Sequence, residues 1–140
     1  MRKSINYSKR FNSGKIELKN ASDVTQRVEK IIKSLKFDWK YKKRILCFRS
    51  SNAKTRAYAR IWGLSRIWQK ALKIPPAYIL EVISEKYDKL SETKKDEILI
   101  HELSHIPQNF SGSLIPHIRR GKRNFYAKVK RMIYRYSEVL

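Results

Sequence analysis

The chain has 140 residues, 41% of them hydrophobic, and carries 33 Lys plus Arg against 12 Asp plus Glu, a formal net charge of +21. That length suits one globular domain with a packed interior. The single cysteine, Cys47, excludes an internal disulfide framework, and no apolar run approaches the roughly 20 residues that cross a bilayer.

Residues 1–21 read as a basic, polar arm with a turn signal at Asn12-Ser13-Gly14. The arm lacks the apolar stretch of a secretory signal, so a cytoplasmic protein is the simplest expectation. From residue 22 to 140 the pattern is that of one domain. Ser22 or Asp23 is placed to cap a first helix over about 23–36, where Val24, Val28, Ile31, Ile32 and Leu35 fall at helical spacing. Ile45 to Phe48 is a short apolar strand containing Cys47, which reads as a buried residue rather than a nucleophile.

Ala57, Ala59 and Ile61 alternate with Tyr58, Arg60 and Trp62, which suits another strand. Gly63 marks a switch to helical spacing at Leu64, Ile67, Trp68, Ala71 and Leu72, and Pro75-Pro76 ends that element; one longer helix is the alternative. Tyr78 to Ile83, rich in aromatic and β-branched residues, is the clearest strand. Ser91 is placed to cap a helix running to about Ile106, with Glu92 in its first turn and Pro107 as its stop. A turn-rich loop follows over 109–116. A last helix starts near Arg123 and gathers Phe125, Val129, Met132, Ile133 and Tyr136 on its apolar face. The fold class expected is α+β, with a small mixed or antiparallel sheet. Trp39, Trp62 and Trp68 read as core or groove aromatics.

Residues 101–105 are His-Glu-Leu-Ser-His, the H-E-x-x-H pattern. Residues four apart on a helix share a face, so His101 and His105 can offer two imidazole nitrogens to one metal ion. Glu102 sits beside them as the catalytic base. A catalytic zinc needs a third protein ligand. The residues that would extend the motif on the metzincin pattern are Gln108 and Ser111, not Gly and His, and the next acidic residue after Glu102 is Glu138. His117, the remaining histidine, follows the turn-rich loop and is the expected third ligand. The expected cofactor is Zn2+, and the expected substrate a protein or peptide lying extended along the Tyr78–Ile83 strand. Tyr87, Arg119, Arg120 and Tyr126 are candidates to stabilise an oxyanion.

The stretch from about Ser50 to Gly121 resembles the phage and archaeal-virus metallopeptidase family, a set of small zincin-like domains. The resemblance is carried by Ala57-Tyr58-Ala59-Arg60-Ile61, by Pro76-Ala77-Tyr78-Ile79-Leu80-Glu81-Val82, and by Ile100-His101-Glu102-Leu103-Ser104-His105-Ile106-Pro107 with Phe110-Ser111-Gly112 and Pro116-His117. It implies a zincin-like fold, metal roles for His101, His105 and His117, and a base role for Glu102. A more distant likeness to SprT-type proteases rests on architecture and charge alone.

The positive charge needs an anionic partner or counter-ions, and DNA or RNA is the commonest such partner inside cells. A zinc peptidase acting on nucleic-acid-associated proteins accommodates both the motif and the charge. The alternative is a basic nucleic-acid-binding protein whose zinc is structural or vestigial. A hydrolase of a non-peptide amide or ester is a third reading.

Overall fold

The computed structural model describes residues 15–118 and 124–140. The elements in chain order are β1 (Glu17–Asn20), α1 (Ser22–Ser34), a 3-10 turn (Lys42–Arg44), β2 (Ile45–Ser51), β3 (Ala59–Gly63), α2 (Arg66–Leu72), β4 (Tyr78–Ile83), the single turn α3 (Ser84–Tyr87), α4 (Glu92–Leu103) and α5 (Phe125–Val139). The fold is α+β, as expected. The four strands form one mixed sheet in the order β1-β2-β4-β3, with β2 and β4 parallel and the other two pairs antiparallel.

Alternation along the strands divides the sheet into two faces. Ile45, Cys47, Ala59, Tyr78, Leu80 and Val82 point to the helices and are buried with Val24, Val28 and Ile31 of α1, Leu99, Ile100 and Leu103 of α4, and Met132 and Tyr136 of α5. Full burial of each large aliphatic side chain contributes about 1.5–3 kcal/mol, so this layer carries most of the stability. Cys47 is among them, and burial pushes its thiol up to about 11, away from nucleophilic use. Among the described residues no helix is long and apolar enough to cross a membrane.

Two arginines fasten the helices to the sheet. Arg27 of α1 pairs with Glu92 and Asp96 of α4. Arg49 of β2 holds Asp23 at 2.8 Å and Asp88 at 2.8 Å, joining the starts of α1 and of the segment before α4.

Four expectations need correction. Glu17–Asn20, assigned to the basic arm, is a strand paired with β2; residues 1–14 of that arm lie outside the described residues. All four residues of β1 are exposed, so no apolar alternation announces it. Neither Ser22 nor Asp23 caps α1; Ala21 holds the cap position without a side-chain bond. Tyr78–Ile83 is not the strand open to an extended partner, because β2 and β3 bond it on both sides; the edge strands are β1 and β3, and β3 is the one beside the cleft. Of the tryptophans only Trp39 is in the core, whereas Trp62 and Trp68 are 50% and 58% exposed.

Candidate metal centre

α4 begins where the sequence caps it: the Ser91 side chain accepts a hydrogen bond from the Lys94 backbone N–H. Leu99, Ile100 and Leu103 fix its buried face. That rotation turns His101 and Glu102 toward a cleft of about 440 Å³ lined by Ala57, Tyr58, Ala59, Glu97, Ile98, Val129 and Ile133. His105 follows one turn later, just past the end of the helix, and is buried.

His117 arrives on a loop that is held at several points. Phe110, at φ 51°, is buried and packs edge-on to Tyr78 with ring centroids 4.8 Å apart. The Tyr78 hydroxyl accepts from the Gly112 N–H at 2.8 Å and donates to the Ser113 carbonyl at 2.7 Å. Gln69 of α2 donates to the Ser111 carbonyl at 2.9 Å. Gly112 has φ +96°, a backbone state that suits glycine. The loop also lies so close to the end of β3 that a Cβ on Gly63 would stand 2.0 Å from the Gly112 carbonyl oxygen. The Ile115 N–H then bonds the His105 carbonyl at 2.7 Å, which leads the chain back over the end of α4.

His101, His105 and His117 therefore converge, with one ring nitrogen from each within 4.8 Å of the others. The Nε2 atoms of His101 and His117 are 3.2 Å apart. Ligand nitrogens on a tetrahedral ion with bonds of about 2.0–2.1 Å stand about 3.3–3.4 Å apart, so this spacing fits a shared metal. The third imidazole is oriented by the backbone: His105 Nδ1 lies 2.6 Å from the Ile115 carbonyl. A proton on Nδ1 satisfies that contact and leaves the Nε2 lone pair for an ion, the usual tuning of a metal-binding histidine by its outer neighbour.

The electrostatics favour lone pairs. Burial, then the neighbouring His105 and His117, brings His101 down to about 4, so its ring is neutral at physiological pH. Burial also lowers His105, with His117 and Lys128 adding to the shift against the opposing Ile115 carbonyl. Burial alone raises Glu102 to about 7. Its carboxylate has no hydrogen bond or ion pair with any described residue, and it lines the same cleft as His101.

Two neighbours were not legible as site residues. Phe125, the first residue of α5, stacks on His105 at 4.3 Å and meets His101 and His117 edge-on at 5.2 and 5.0 Å. It forms an apolar wall around the imidazoles. Its place on an apolar helical face was the only signal in sequence. The Ile115 carbonyl, being backbone, leaves no signal at all. Of the oxyanion candidates, Tyr126 stacks on His117 at 5.7 Å and lies 6.3 Å from His101. Tyr87 is 1% exposed within the core and is excluded from that role, and Arg119 and Arg120 lie outside the described residues.

Residues 16–137 match the family model described as "Putative phage metallopeptidase". The match takes in β1, α1 and most of α5 as well as the stretch 50–121. Nothing matches among curated proteins or among solved structures.

Proposed function

This chain belongs to that phage metallopeptidase family, and on that footing we propose that it is a zinc-dependent peptidase that uses Glu102 as its general base. The observation that carries the reading is a partially buried carboxyl group with no partner among the described residues, beside three convergent imidazoles. A structural site has no use for Glu102, and leaving it unpaired costs stability. Three imidazoles, two of them held neutral, suit zinc, although the same donors accept cobalt or nickel. Zinc held by His101, His105 and His117 would supply the Lewis acidity that activates water and polarises a carbonyl.

The chain's own groups do the rest. Glu102 takes the proton of the attacking water and returns it to the leaving amine. Burial raises the Glu102 carboxyl above its ordinary value in the metal-free protein, and a bound cation would favour its ionised, proton-accepting form. Phe125 packs against all three imidazoles and shields buried His105, while His117 remains exposed. The free edge of β3 offers backbone groups to an extended peptide, and Ala57, Tyr58 and Ala59 at its start line the cleft. Backbone pairing there aligns the scissile bond with Glu102. Among the candidates, Tyr126, whose ring stacks on His117, is the residue we assign to oxyanion stabilisation.

A charge of +21 supports substrates that are themselves bound to nucleic acid. The same charge favours the second reading, a nucleic-acid-binding protein with a structural metal. Zinc-loaded protein incubated with an unfolded protein substrate separates the two. Cleavage that disappears in Glu102→Gln while the metal stays bound supports the peptidase. Cleavage by neither protein supports the binding module.

A further inference from the structure

The helices cover one face of the sheet, and among the described residues the other face is left open around Leu46, Ile79 and Trp62. Across its strands runs an apolar row in direct register, Leu46 of β2 beside Ile79 of β4 beside Trp62 of β3. Each is between 39% and 50% exposed. The next row places Arg60 beside Glu81. Glu81 is 5% exposed and receives hydrogen bonds from Arg60 Nε and Nη2 at 3.1 and 3.0 Å and from the Trp62 indole Nε1 at 2.9 Å. The Trp62 ring is thus pinned by its edge while half of the residue remains open to solvent. The Arg60 guanidinium lies 5.3 Å from its centroid. A ring fixed in this way loses little freedom when a partner stacks on it.

The neighbouring chain has the charge to match. From Trp39 to Leu80 there is no acidic residue. Lys54, Arg56, Arg66, Lys70 and Lys73, before and after β3, are exposed and pair with no acid among the described residues. α2 buries none of its side chains and presents Trp68, 58% exposed, among Arg66, Lys70 and Lys73. Exposed rings interleaved with unpaired cations suit a polymer with stackable bases and a phosphate backbone. Duplex keeps its base faces stacked internally and would use only the cations.

We propose that β3 and α2 form a binding surface for single-stranded nucleic acid, with Trp62 and Trp68 as stacking platforms and the surrounding lysines and arginines on the phosphates. The surface shares β3 with the metal cleft: the start of that strand lines the cleft from the helix side, while Trp62 faces the opposite side of the sheet near the strand's other end. The proposal goes beyond that activity and does not depend on it, since Glu102→Gln protein must bind equally well.

The test is titration of the full chain with a short oligothymidylate, followed by tryptophan fluorescence, with duplex of equal length and anionic phospholipid vesicles in parallel. Buried Trp39 supplies the unquenched background. The expected result is quenching on oligothymidylate binding, an affinity that falls as salt rises, and a loss of about tenfold for each of Trp62→Ala and Trp68→Ala. Trp62→Phe, which keeps a ring, recovers most of the loss. Duplex binding responds to salt but not to ring removal. Trp68→Ala carries the test if Trp62→Ala fails to fold, because Trp68 is not tied to Glu81. The proposal is overturned by absence of binding, or by oligothymidylate affinity unchanged in Trp68→Ala. It is overturned equally by vesicles that quench where oligothymidylate does not, which would make the face a lipid surface. Self-association that buries the Leu46–Ile79–Trp62 row and abolishes quenching would assign it to a second copy.

Discussion

Two shielded carboxyl groups on opposite sides of the sheet are treated in opposite ways. On the outer face, burial pushes Glu81 up, but hydrogen bonds from Arg60 and Trp62 outweigh it and hold the carboxyl below its ordinary range. In the helix-side cleft, Glu102 has no such donors, and burial lifts it to about 7. The first carboxylate is satisfied, ionised at neutral pH and used to fix a ring. The second has no such donor among the described residues and is the proposed general base. Unpaired burial of that kind is costly, and protein sites that tolerate it are commonly the reactive ones.

The largest difference should appear on exchanging each carboxyl for an amide. Glu102→Gln should lower the peptidase rate by about 10²–10⁴-fold, with metal content and melting temperature maintained. Glu81→Gln should leave the rate per folded molecule unchanged. A comparable fall in activity for both variants, in a direct cleavage assay, would end the contrast.

The cleft should also be sensitive to a change made well away from it. Gly63→Ala puts a Cβ against the Gly112 carbonyl and pushes back the loop that delivers His117 and the Ile115 carbonyl. Metal affinity, measured by competition with a chelator, should fall by about 10–100-fold, as for loss of an outer neighbour of a ligand. Unchanged affinity would mean that the loop does not position the site.

On the outer face the effect should be one of stability. Glu81→Gln should cost about 1–3 kcal/mol in denaturant unfolding, less than a fully buried pair because Arg60 is partly in solvent. An unaltered midpoint would show that the Arg60–Glu81–Trp62 arrangement holds nothing in place.

The smallest effect is in pH dependence, measured on metal-free protein. Glu102 has a folded pKa of about 7 against an ordinary 4.5, so the folded state binds its proton more tightly. Its contribution grows as pH falls from 7 toward 4.5 and is lost as pH rises through 7. His101, at about 4 against 6.5, acts with the opposite sign and removes stability as pH falls from 6.5 toward 4. The two oppose one another, so wild type should show a shallow profile and Glu102→Gln a steeper acid loss. Glu81, held low, adds stability above the ordinary carboxylate range and loses it only as pH falls through its own lowered value. Parallel profiles for wild type and Glu102→Gln would contradict the raised value.

Much of the helical face of the molecule is legible in the sequence. The period of Val24, Val28 and Ile31 gives α1, the Ser91 cap gives the start of α4, and the five residues from His101 to His105 carry their spacing openly. The clustering of His117 with them follows from the turn-rich loop. What the sequence hides is whatever depends on pairing. β1 is a strand because β2 presents a partner, not because Glu-Leu-Lys-Asn alternates. Tyr78–Ile83 looks like a strand in isolation, but its interior place is set by register with β2 and β3. Trp62 and Trp68 read as core or groove aromatics by type, and only the open sheet face around Trp62 and the unburied helix α2 show them exposed. The Ile115 carbonyl, which orients His105, has no side chain to read.

The central claim is that three histidines and Glu102 form one metal-dependent site. Metal content of untagged protein, measured side by side for wild type, His117→Ala and Glu102→Gln, tests it most directly. The account predicts about one zinc per chain in wild type and Glu102→Gln, and marked loss in His117→Ala. Absence of metal uptake by wild type, or full retention by His117→Ala, would contradict it.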